Sequence, residues 1–363
     1  MNHDKKFLEE ILDIIVEDSY PEPFRLFFSD DGRKKFAILC KDIANLGHER
    51  RISHILGLLG AGMAFATFGA YKYIQECDSE NIKLSAISRT PLPYIRPKIK
   101  GNRKMMLVDD CVYTGYNIRT AKNFLAINYP HTKISYYSVF NIFNANLGIG
   151  REVGKDFINM DKTISIDISD HTLPIKKLRL PKKKKVKNLK LKYLPKKNFS
   201  EKSMKQYSME NNILKTWNLF DNPIILASST NLLLNKLGED VGNKSINCVI
   251  ASSPWSYAMA TLISQDNDLP LVFAQKNMFK GEITYRPRNI MKDIESDALF
   301  PIILDTVAYT GTTINRIIDE FKKSGFIVEG FIPAAIFKRK SKEHLVSNFP
   351  INYLWDFEIP VIA

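Results

Sequence analysis

Along the 363-residue chain, short apolar runs bounded by turn-forming residues alternate with longer segments of helical period. Phe7 to Asn45 carries the 3.6-residue spacing of helices. Ile52 to Gln75 reads as a strand, a tight loop and a helix, Ile82 to Ile87 as a strand, and Ser88 to Lys104 as a linker. Met106 to Val108 opens a further strand, followed by a helix from Ile118 to Ile127 and a strand near Ile134 to Phe140. The same order recurs downstream. Asn247 to Ala251 predicts a strand, Ser252 to Ser256 a loop, Tyr257 to Ser264 a helix and Leu269 to Ala274 a strand. Gln275 to Ala298 reads as a long linker, Pro301 to Leu304 as a strand and Ile314 to Lys323 as a helix. The strand runs are almost continuously apolar, as strands buried on both faces must be, which points to parallel sheets covered by helices. The expected fold class is α/β, with two tandem doubly wound parallel-sheet domains and ligand at the carboxyl ends of the strands.

One segment is used twice. Met106 to Ile118 reads M-L-V-D-D-C-V-Y-T-G-Y-N-I, and Ile302 to Ile314 reads I-I-L-D-T-V-A-Y-T-G-T-T-I. In each copy an apolar run ends at an acid, Asp109 or Asp305, and Tyr-Thr-Gly follows at a fixed distance. A strand, a tight loop and a helix start present backbone N–H groups to an anion. The acid can bind sugar hydroxyls, while Thr and Gly suit a phosphate that the backbone approaches closely. Taken singly, such residues are ordinary strand-end and turn chemistry. Two copies in matching contexts favour a binding function.

Charge divides the chain. Lys176 to Lys197 holds twelve Lys or Arg residues and no acid, punctuated by Pro181 and Pro195. The formal net charge is +13, so without this strap the chain would carry +1. The expected boundaries are residues 1–170, a basic linker at 171–204, and residues 205–363. The run Lys182 to Lys185 cannot form a packed core and reads as extended or disordered in isolation. The alternation of Val186, Leu189, Leu191 and Tyr193 with lysines hints that part of it docks as a strand. A solvated linker is one reading. A contact with a nucleic-acid backbone through Lys182, Lys183, Lys184, Lys185, Lys187, Lys190 and Lys192 is the one favoured here.

Other features narrow the class. Cys40, Cys77, Cys111 and Cys248 are scattered without C-x-x-C spacing, so neither a zinc site nor a disulfide framework is expected. The N-terminal residues do not read as a secretory signal. Ile55 to Ala70 is uncharged but shorter than a bilayer needs and contains four glycines, so no membrane association is expected. The expected setting is cytoplasmic.

The repeated segment resembles the phosphoribosyl pyrophosphate (PRPP) motif of type I phosphoribosyltransferases: four apolar residues, two acids, a short spacer and Thr-Gly-x-Thr. The resemblance implies that Asp109 and Asp110, as the catalytic-site acids, hold the ribose 2′- and 3′-hydroxyls. Thr114, Gly115, Tyr116 and Asn117 would then form the phosphate loop. In the second copy it assigns Asp305 and Thr306 to the ribose, and Thr310, Gly311, Thr312 and Thr313 to the phosphate. Each copy departs once. Asn117 stands where Thr or Ser is usual, and Thr306 replaces the second acid.

The family's pyrophosphate loop maps onto Gly57, Gly60 and Gly62. In the second copy it maps onto Ser252 to Ser256, without glycine and with Trp255 crowding the place of a diphosphate. Its flexible closing loop maps onto Ser88 to Lys104 and onto Gln275 to Lys292, and Tyr113 and Tyr309 stand where purine-using members often carry an acid. The cofactor implied is Mg2+ with PRPP. The activity implied is transfer of the ribosyl group from PRPP, or hydrolysis of a related ribosyl phosphate. The alternative is a nucleic-acid-associated effector or regulatory protein of the anti-phage retron type, with a reverse transcriptase as its protein partner.

Overall fold

A computed structural model describes residues 5–17, 20–21, 23–77, 81–88, 93–99, 104–112, 116–143, 162–167, 180–192, 202–203, 209–210, 213–214, 216–279, 282–287, 298–308, 311–340 and 350–358. The chain divides into two units. The first comprises Met1–Leu26, Asp31–Ile175 and Asp221–Pro223, and the second Phe27–Asp30, Lys176–Phe220 and Ile224–Ala363.

Unit 1 runs α1 (Lys5–Ile15), α2 (Asp30–Glu49), β1 (His54–Leu58), α3 (Ala61–Cys77), β2 (Lys83–Ile87), β3 (Ile95–Arg96), β4 (Met105–Val112), α4 (Tyr116–Asn128), β5 (Ile134–Phe143) and β6 (Lys162–Asp167). Its six-stranded sheet has the order β3-β2-β1-β4-β5-β6. All neighbours are parallel except β3, which runs antiparallel to β2. β1 is buried along its whole length, and the core of one face gathers Leu56, Leu58, Leu107, Val112, Ile118 and Leu125. The uncharged stretch after β1 is α3, buried from Ala61 to Ala70 on every side. No described helix is long and apolar enough to cross a membrane. Gly57 lies inside β1, where a Cβ would come within 2.8 Å of Met63 Cα. Its missing side chain is what lets α3 lie this close to the sheet.

Unit 2 contains β7 (Lys184–Lys185), α5 (Pro223–Val241), β8 (Ser245–Ile246), β9 (Cys248–Ala251), α6 (Pro254–Asn267), β10 (Leu271–Phe279), β11 (Glu282–Pro287), β12 (Pro301–Ala308), α7 (Thr312–Lys323), β13 (Ile332–Lys340) and β14 (Asn352–Glu358). The sheet order is β11-β10-β9-β12-β13-β14, again parallel except for the antiparallel hairpin β10–β11. Strand for strand, this is the arrangement of unit 1. Ile250, Ile303, Ile314, Ile317 and Phe321 build one core face, and Trp355 is buried against Phe337, with ring centroids 5.5 Å apart.

Three readings of the pattern change. The helical region Phe7 to Asn45 is two helices separated by the 3₁₀ turn Pro23–Phe27, as the prolines there require. Gln275 to Ala298 is not a plain linker. β10 continues to Phe279 and pairs with β11 from Phe279–Glu282 to Ala274–Pro287. The loop Ser252 to Ser256 is shorter than it reads, because Pro254 already occupies the first helical position of α6.

The segment Leu180–Lys192 is not a loose strap. It belongs to unit 2, with Lys184 and Lys185 paired antiparallel to Ile246 and Ser245. Val186, Leu189 and Leu191 are buried. The N–H groups of Lys190 and Lys192 donate to Asn267 Oδ1 and Asp266 Oδ2, each at 2.9 Å. Apolar side chains that turn inward supply the docking energy that a pure lysine run lacks. Tyr193 lies outside the described residues.

Candidate functional site

The two acids of the first copy sit together in β4, both buried. The backbone N–H of Asp110 donates to Asp109 Oδ1 at 3.0 Å, and that of Gly62 donates to Asp110 Oδ1 at 3.1 Å. Gly62 is the second residue of α3, so Asp110 places a carboxylate at the start of a helix, where the dipole favours negative charge. A Cβ on Gly62 would lie 3.1 Å from Val108 O and 3.3 Å from Asp109 Oδ1. The absence of that atom permits the approach.

Of the three glycines assigned to a pyrophosphate loop, only Gly60 lies in the loop between β1 and α3. Its φ is 125°, which side-chain-bearing residues rarely adopt. Gly57 is a strand residue, and the N–H of Gly62 is committed to Asp110. Tyr116 is exposed and Asn117 half-buried at the start of α4. Tyr113, Thr114 and Gly115 lie outside the described residues.

Unit 2 repeats this geometry with different chemistry. Register pairs Gly57 with Val108 in one sheet and Ala251 with Leu304 in the other, so Asp110 and Thr306 hold equivalent places. Thr306 Oγ1 lies 3.1 Å from Ser253 Oγ, and Ser253 is the N-cap of α6. The strand-end residue again meets the helix start, here through two hydroxyls in place of a carboxylate and an amide.

Ser256 N–H donates to Ser253 Oγ, and the N–H groups of Ser252 and Ser253 donate to Ser256 Oγ. This capping box ties up amides that an anion would need. Trp255 is half-buried and stacks on Phe220, with centroids 4.9 Å apart and planes 27° apart. The Oγ of Ser252 is buried with no hydrogen-bond partner among the described residues.

Asp305 Oδ1 accepts the N–H of Thr306 at 2.7 Å. Burial pushes its carboxyl up to about 6, outweighing the N–H groups of Thr306 and Val307 that favour the charged form. Gly311 caps α7 at φ 74°, a left-handed conformation suited to glycine, with Thr312 exposed and Thr313 half-buried behind it. Tyr309 and Thr310 lie outside the described residues.

On the strap, Lys182, Lys183, Lys185, Lys187, Lys190 and Lys192 are exposed. Lys184 turns inward instead. Its Nζ donates to Asn267 O and lies 3.7 Å from Asp268 Oδ2. Lys183 Nζ stands 3.2 Å from the Phe300 ring centroid. The serine network of unit 2 escaped the sequence reading because Ser253-x-x-Ser256 lacks the Glu or Gln that marks a usual capping box.

No protein-family model matches the sequence, and no curated protein matches it. Solved structures similar to parts of the chain include a purine phosphoribosyltransferase from Pyrococcus horikoshii, at 14% identity over 38% of this chain and 90% of that one, with a TM-score of 0.27. An orotate phosphoribosyltransferase from Mycobacterium tuberculosis, in complex with inorganic phosphate, is similar at 14% identity over 45% and 86%, with a TM-score of 0.31. A xanthine-guanine-hypoxanthine phosphoribosyltransferase from Helicobacter pylori is similar at 15% identity over 38% and 84%, with a TM-score of 0.28. At TM-scores this low, none of the three bears on what this chain does.

Proposed function

We propose that the chain is a tandem, divergent phosphoribosyltransferase-like protein whose first unit binds PRPP or a related ribosyl phosphate and transfers or hydrolyses the ribosyl group. The observation that carries this reading is the pair Asp109–Asp110, buried in β4 and tied to the first turn of α3 through Gly62. Two adjacent carboxylates held by backbone amides are preorganised acceptors for vicinal hydroxyls. The loop at Gly60, whose φ of 125° suits glycine, lets a backbone approach the phosphate end of the same ligand closely. Asp109 and Asp110 are also hard oxygen donors of the kind Mg2+ accepts beside substrate phosphates. When bound, the ion supplies charge neutralisation to the departing pyrophosphate. The chain's own part is to position the ribose and exclude water.

Calorimetric titration with Mg-PRPP tests the proposal. Wild type should bind, and Asp109→Asn with Asp110→Asn should weaken binding by about 1.5–3 kcal/mol for each charge-assisted bond lost. Unchanged affinity in the double variant, or no binding by wild type, would overturn it.

A second reading concerns the strap. Six exposed lysines ride on a segment whose apolar residues are buried beneath them, which makes a fixed ridge of one sign of charge. Such a ridge suits a nucleic-acid backbone or another extended polyanion. It is compatible with the first reading and with an effector that has kept the fold and lost the reaction.

A further inference from the structure

β1, β4 and β5 are adjacent and parallel, so the residues that precede them line up at one end of the unit 1 sheet. They are Ser53, Lys104 and Lys133. The N–H of Ser53 donates to Lys104 O, and that of Met105 to Lys133 O, each at 3.0 Å. Beside this row, α2 ends at Glu49, and Arg50 and Arg51 lead into β1. Together Glu49, Arg50, Arg51, Ile52, Lys104, Lys133 and Ser135 line a cavity of about 400 Å3, within the ordinary range for small-molecule sites.

The lining carries four cations against the single carboxylate of Glu49. Among the described residues, Arg51, Lys104 and Lys133 have no carboxylate partner. Like charges that converge in a concavity raise its potential, which repels the cations from one another and attracts an anion. Arg50 Nη1 reaches Ser135 Oγ at 3.5 Å and so brings a guanidinium to the cavity wall. Arg51 sits at φ 54°, a left-handed turn after α2 that glycine would make with less strain. An arginine in a conformation that glycine would adopt with less strain points to a use for its side chain.

Unit 2 provides an internal control. By register the equivalent row there is Asn247, Phe300 and Gly330, none of them charged. The sheet therefore does not demand basic residues at this end.

We infer that this cavity binds a small anion carrying two or three linked phosphates, separately from the Asp109–Asp110 site. The six residue steps from Lys104 to Asp110 span roughly 20 Å of strand, so one small ligand does not occupy both. The net charge of +3 on the lining matches a di- or triphosphate better than a single phosphate or a carboxylate.

Calorimetric titration of the full chain with inorganic tripolyphosphate tests this inference, and ATP titrated in parallel distinguishes a nucleotide source from an inorganic one. Binding of either at this cavity upholds the site. Wild type should bind, and Lys104→Gln with Lys133→Gln should raise Kd about 100-fold. Both side chains are exposed, so the fold should survive, and Lys104→Arg with Lys133→Arg should retain the affinity. Asp109→Asn with Asp110→Asn should leave binding unchanged. Absence of binding by wild type, or equal affinity in the double glutamine variant, would overturn the inference. So would a loss seen only when the strap lysines are replaced.

Discussion

One carboxyl, Asp305, carries a pH signature that can be read separately from the rest of the chain. Burial pushes it from an ordinary carboxyl value near 3.8 up to about 6, so the folded state holds the proton more tightly than the unfolded state does. The cost of burying the charge is absent below about pH 4, grows as pH rises toward 6, and is constant above that. Asp305→Asn should therefore gain stability relative to wild type between pH 4 and 7, by about 2 kcal/mol. The three tryptophans, Trp217, Trp255 and Trp355, all fall in unit 2, so their fluorescence during urea unfolding reports the relevant half. Parallel stability curves for the two proteins across that range would contradict the assignment. Asp305 itself accepts the N–H of its strand neighbour Thr306. Asp110, by contrast, meets an amide at a helix start, and the hydroxyl of Thr306 replaces it in the second copy.

Among the elements, the strap separates two roles that its composition blends together. Lys184 anchors it to Asp268 and Asn267 and the Lys183 ammonium lies over the Phe300 ring, while the other lysines of the run face solvent. If six lysines each neutralise one phosphate, log K against log salt should fall with a slope of about −4 to −5 on nucleic acid. Replacing Lys182, Lys183 and Lys185 with glutamine should flatten that slope by about 2 to 3 units. Lys184→Gln should instead loosen the docked segment. Filter binding across a salt series separates these outcomes, and a wild-type slope near zero would reduce the ridge to a solvated surface.

Most strands were legible because a parallel strand buried on both faces has no polar position to disguise it. β11 was not. Glu282–Pro287 pairs antiparallel with an extension of β10 that includes the exposed Lys276, so neither arm reads as an apolar run. The acids of the candidate site were legible from spacing. The cavity at the opposite end was not, because Arg51, Lys104 and Lys133 lie far apart in sequence and only sheet order brings them together.

At the scale of the whole chain, two sheets of identical strand order carry unequal strand ends. In unit 1 the helix start faces a carboxylate, and in unit 2 a serine capping box closes over the equivalent amides. Titration with Mg-PRPP should accordingly saturate at one ligand per chain. A stoichiometry of two would show that the serine loop opens to admit a diphosphate. The strap has a further consequence, which concerns synthesis. β7 finds its partner, β8, about sixty residues later in the chain. Until that stretch has left the ribosome, the segment that carries the buried Val186, Leu189 and Leu191 lacks the strand it pairs with. The lysines between them then act as gatekeepers, whose mutual repulsion keeps an unpaired apolar segment from associating with other nascent chains.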